Sequence, residues 1–125
     1  MIERQKKFNI GERQFVANFP NVGQLIDMES LKQALTNNRY GVMAQSGVAS
    51  MYDALDMVDA IAFLQVVVPD VARYLNIKSY AALPPERMRQ FVEAYTKEIR
   101  PWYDSGMKEL KNFNASDNGD AEKTE

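Results

Sequence analysis

Asp53, Asp56 and Asp59 recur at i, i+3 and i+6, a spacing that sets three carboxylates on one arc of about 120° if the segment is helical. Such a stripe could ligate a hard cation or dock a basic partner. One helix rarely supplies the six or more oxygens that calcium takes, and no EF-hand spacing surrounds these residues. The plainer reading is a solvated helix face, with docking of a basic partner as the functional alternative. Further on, Arg87, Arg89, Lys97 and Arg100 are interleaved with Tyr95, Trp102 and Tyr103, a mixture that nucleic-acid-binding surfaces also show. Glu86, Glu93, Glu98 and Asp104 cancel that charge, so contact with nucleic acid is not the expected role. Gly41 and Gly47 are spaced loosely like the glycines of a phosphate loop. Val48-Ala49-Ser50 stands where such a loop needs its lysine, and an interhelical loop is the better reading.

What the chain lacks excludes more. It contains no histidine and no cysteine, which removes the usual zinc sites, disulfides, haem attachment, thiol nucleophiles and Ser-His-Asp triads. Catalysis would have to rest on carboxylates, Tyr, Lys or Ser. Paired carboxylates that cleave glycosides must stand about 5 to 9 Å apart across a cleft, and a short helical chain offers no evident cleft of that kind. The expectation is a protein that is not an enzyme and takes no cofactor or metal.

The elements that must position these residues follow from pattern. With 125 residues, 46% of them hydrophobic, and a net charge of −2, the chain describes one small domain. Lys6 to Ile10 and Arg13 to Ala17 alternate with a period of two around Gly11-Glu12, which predicts a hairpin with a type II′ turn, Ile10 opposite Arg13 and Phe8 opposite Phe15. Asn21 with Gln24 has the form of a helix-capping box, opening a helix from about residue 22 to 36. Residues 40 to 47 read as a loop with room for one helical turn. A second long helix is expected from about 48 to 68, with Val48, Met51, Tyr52, Leu55, Val58 and Ala62 on one stripe and a last half that is apolar nearly all round. Pro69 suits the first position of a short helix to Leu75. After a loop to Leu83, an apolar stripe from Met88 through Phe91, Tyr95, Ile99, Trp102 and Tyr103 to Phe113 runs across Pro101, as one kinked helix or two nearly collinear ones. The expected fold is mainly α: one domain over residues 1–113, with four to five helices behind a hairpin at 6–18. Asn114 to Glu125 has no large apolar side chain, four acids and one base, and reads as a disordered acidic tail.

Charge and targeting complete the reading. No Lys or Arg lies between Tyr40 and Ala72, and the sequence pI of about 5.2 gives no global basic footprint. The opening residues are charged and lack an apolar signal core. The longest apolar stretch, 60 to 68, is interrupted by Gln65 and is too short to span a bilayer, so the expectation is a cytoplasmic protein without membrane contact. Seven methionines, among them Met28, Met43, Met51, Met57, Met88 and Met107, fit either a core or an adaptable binding face.

The opening, Lys7-Phe8-Asn9-Ile10-Gly11-Glu12-Arg13-Gln14-Phe15 running into Phe19-Pro20-Asn21-Val22-Gly23-Gln24-Leu25-Ile26-Asp27, resembles the start of small accessory proteins of tailed bacteriophages, in particular tail assembly chaperones. The likeness is one of layout over roughly the first 40 residues. It implies a hairpin before a helical body, no enzymatic activity, and a role in the host cytoplasm, or in the virion, holding aggregation-prone virion or tail proteins before assembly. It assigns no residue a role. A structural virion subunit and a weak nucleic-acid-binding regulator are the alternatives. From the residues themselves, Trp102, Tyr103 and Tyr95 are the candidate anchors for a partner or a second copy, because aromatic side chains dominate interface energies, with packing into the core as the competing reading, and Asp53, Asp56 and Asp59 are the candidate charged contacts.

Overall fold

The structure, a computed structural model, describes residues 2–124, with side chains for residues 2–112. Two antiparallel strands, β1 (Gln5–Ile10) and β2 (Arg13–Asn18), open it. Gly11 sits in the turn at φ 61°, a conformation a side chain resists, and the register pairs Phe8 with Phe15 and Ile10 with Arg13 as the alternation requires. Phe8, Ile10, Phe15 and Ala17 share the buried face, with the two phenyl rings stacked at 5.9 Å between centroids.

Helix α1 (Val22–Thr36) begins at a complete capping box: Gln24 N–H donates to Asn21 Oδ1 at 2.9 Å, and Asn21 N–H donates to Gln24 Oε1 at 3.0 Å. Asn37 and Asn38, both left-handed, end it. The segment expected as a loop holds the short helix α2 (Tyr40–Ala44). Helix α3 (Ala49–Val67) is the centre of the molecule, and its side chains from Ala60 to Leu64 are all buried, so neighbours surround that half on every side. Pro69 starts α4 (Pro69–Leu75), where its missing N–H costs nothing, and left-handed Asn76 closes it. A 3-10 turn at Tyr80–Ala82 lies within the loop that follows.

From Pro85 the chain is one continuous rod: α5 (Pro85–Ala94), a π turn (Tyr95–Ile99) and α6 (Arg100–Thr124). Pro101 explains the π turn. It has no N–H to give the carbonyl four residues back and its ring crowds that turn, so the helix widens and Arg100 N–H bonds instead to the Tyr95 carbonyl, five residues back. Counted as rods, the described residues form five helices behind the hairpin. Helix α1 packs on α3, while α5 packs on both α3 and β1, which gives the hairpin the support two strands lack alone. The expected acidic tail, Asn114 to Glu125, lies outside the residues whose side chains are described.

Candidate interaction surface

The carboxylate stripe of α3 lies where the π turn delivers Arg100. Arg100 Nη2 donates to Asp56 Oδ1 at 2.7 Å and to Asp59 Oδ2 at 3.4 Å. The other Asp59 oxygen accepts from the Tyr40 hydroxyl at 2.6 Å and lies 3.9 Å from Lys32 Nζ. Lys32 and Arg100 each also lie over an aromatic ring, Tyr40 at 5.3 Å and Tyr95 at 5.1 Å. Burial raises the Asp59 pKa, outweighing the opposing Tyr40 hydrogen bond and the Lys32 and Arg100 charges. Burial, reinforced by the Asp59 carboxylate, likewise raises the Tyr40 phenol. The stripe is therefore only in part the solvated face expected of it. Asp56 and Asp59 bind a cation from the same chain, and the cluster ties α1, α2 and α3 to the C-terminal rod.

Asp53 alone of the three stays exposed, at one side of an open groove of about 440 Å³ between α3 and α5, whose other walls are Asp56, Met57, Pro85, Met88, Arg89 and Val92. Among the described residues no group of three or more His, Cys, Asp or Glu side chains is placed to hold a metal ion. Two bases of the C-terminal region are turned to carboxylates of this chain: Arg89 pairs with Glu93 at 3.4 Å on its own helix, and Arg100 turns inward to α3.

In the folded chain the aromatic stripe packs into the interior, the core-packing alternative to a partner anchor. Trp102 is 8% exposed, lies edge-on to Phe19 at 5.6 Å and to Phe63 at 6.4 Å, and its indole N–H donates to the Glu3 carbonyl at 2.8 Å. Tyr95 is buried against Phe63 at 5.8 Å. Tyr103 is half-buried between Phe19 and Phe63, and loss of solvent pushes its phenol up to about 12. The C-terminal rod needs this much apolar surface because it covers α3 on one side and the segment leading into and out of the hairpin on the other. Gly106 continues that face, and a Cβ there would overlap the Phe19 ring.

A different surface is left uncovered. The apolar stripe of α3 is buried from Leu55 onward, but its first two turns are not: Val48 is 51% exposed, Met51 40% and Tyr52 46%, with Val42 of α2 at 72% close by in the chain. Met57, also exposed, lies on another face of α3, in the wall of the groove toward α5. Periodicity shows that Val48, Met51 and Tyr52 form one stripe with Leu55 and Val58; it carries no information about where the covering elements stop. Clusters of exposed apolar side chains of this kind mark sites of association more often than scattered ones do.

No protein-family model, no curated protein and no solved structure matches this chain. Among the described residues no helix is long and apolar enough to cross a membrane.

Proposed function

We propose that this is a non-catalytic interaction protein that holds an apolar segment of another polypeptide on the uncovered first turns of α3 and the adjoining α2. The observation that carries this reading is Val48, Met51 and Tyr52, apolar side chains that continue the core stripe of α3 beyond the point where the fold covers it, with exposed Val42 on the neighbouring α2. Methionine and tyrosine suit such a surface: one adapts its shape, the other offers a rigid ring with a polar tip. The likeness of the opening residues to tail assembly chaperones supports a narrower form, a helper in bacteriophage tail assembly that works in the host cytoplasm with tail or virion polypeptides as its partners.

The broad reading is tested with a client that aggregates on reduction, the insulin B chain, followed by light scattering. The wild-type chain is expected to suppress scattering near equimolar ratio, and Met51→Glu combined with Tyr52→Glu is expected to abolish suppression with helical circular dichroism and melting unchanged. No suppression by the wild type, or equal suppression by the double variant, rejects the reading. The narrower form is tested by co-expression with tail polypeptides of a tailed phage, where a rise in their soluble yield that the double variant fails to give is required.

A further inference from the structure

Hydrogen bonding across the hairpin alternates along each strand. In a two-residue hairpin the pair flanking the turn, here Ile10 and Arg13, bonds inward, and every second pair after it does the same. Phe19 N–H donating to the Arg4 carbonyl at 2.8 Å, just past the strand ends, keeps that alternation. The remaining backbone groups therefore turn outward. On β1 the outward Asn9 N–H is met by Glu98 Oε2 at 3.3 Å, from the helical rod packed on that side. On β2 the outward N–H and C=O groups of Gln14, Val16 and Asn18 have no backbone partner among the described residues.

An open edge of this kind is a template for another strand, and proteins that remain monomeric blunt it with lysine, proline or a bulge. Gln14, Val16 and Asn18 supply none of these. Val16 is 44% exposed, and Tyr74 of α4, 64% exposed, lies 6.4 Å from the Phe15 ring beneath the same strand.

We propose that β2 pairs antiparallel with β2 of a second copy about a two-fold axis through Val16, joining two hairpins into one four-stranded sheet. The strand is complementary to itself in that register. Val16 meets its own counterpart, Gln14 stands opposite Asn18 of the second copy so that two amides face each other, and on the buried side Phe15 stands beside Ala17 of the second copy, a large side chain against a small one. Charge is compatible as well, because every outward position of β2 is neutral and no like charges are set opposite one another. The pairing satisfies the open backbone groups of both copies and extends a ribbon that two strands leave marginal. It is independent of the α3 surface assigned above to partner binding.

The test is sedimentation equilibrium of the full chain from micromolar to sub-millimolar concentration, together with two variants. The wild type is expected to form dimers as concentration rises. Val16→Lys, which sets two lysines face to face, is expected to weaken dimerisation at least about tenfold with melting and circular dichroism unchanged. The chain has no cysteine, so Val16→Cys carries a single thiol. Hydrogen-bonded antiparallel residues stand about 5.5 Å apart between Cα atoms, within disulfide reach, and mild oxidation is expected to cross-link this variant faster than the exposed control Ser50→Cys. A wild-type chain that stays monomeric, a dimer indifferent to Val16→Lys, or cross-linking no faster at 16 than at 50 overturns the proposal.

Discussion

Asp59 meets Tyr40, Lys32 and Arg100, yet burial decides its titration. Its folded pKa lies above the ordinary value, so over some pH range the folded chain keeps a proton that the unfolded chain has lost. The contribution of this group to stability is then fullest in acid, below the unfolded pKa of about 4, and declines as pH rises through the folded pKa. Asp59→Asn retains an oxygen for the Tyr40 hydroxyl and removes the decline. Urea unfolding at a series of pH values should show the variant gaining on the wild type as pH is raised from about 4 toward neutrality. A variant that loses ground over that interval would show that the ion pairs to Arg100 and Lys32 outweigh burial. Trp102 belongs to the same scale. Trp102→Ala should cost about 3 to 5 kcal/mol of unfolding free energy, since it empties a site between Phe19 and Phe63 and leaves the Glu3 carbonyl without its donor. A cost below about 1 kcal/mol would place the indole outside the core. Gly106→Ala should also destabilise, by about 1 to 3 kcal/mol, because the Phe19 ring must move; an unchanged urea midpoint would mean that the ring gives way freely.

At the scale of elements, the hairpin shows its sequence logic most openly. Phe15 is buried opposite Phe8 and Val16 faces out, so Phe15→Ala should cost about 3 kcal/mol or more while Val16→Thr changes stability by less than about 0.5 kcal/mol. Equal small effects on the thermal midpoint would mean that the strand faces are reversed. This much was legible because Gly11 fixes the turn and a period of two fixes the faces. The capping box of α1 and the proline start of α4 were legible for the same local reason. Pro101 announced a break in the helix, but sequence pattern alone left its form open, and the form matters: the π turn brings Arg100 to Asp56 and Asp59. What local pattern could not carry was coverage. Val48, Met51 and Tyr52 share a stripe with Leu55, and Trp102 shares one with Phe91. Which stripe is covered depends on where the chain returns, a property of the whole fold that no spacing of residues records. Gly106 is a further case, since only the approach of Phe19 gives it a role.

For the whole molecule, two kinds of surface result from one packing scheme. The C-terminal rod, α3 and the hairpin close on one another through aromatic rings, while the Asp59 cluster holds α1 and α2 against them. Beyond that cluster the body ends before the apolar stripe of α3 does, and the uncovered residues are the basis of the function proposed here. Two methionines provide native reporters on both sides of this boundary: Met51 is exposed on α3, and Met28 is buried on α1. The most direct measurement is the methyl spectrum of the methionine-labelled chain during titration with reduced insulin B chain below its aggregation threshold. The account predicts that the Met51 signal shifts or broadens with client while Met28 stays in place. Client binding that leaves Met51 unmoved would contradict it.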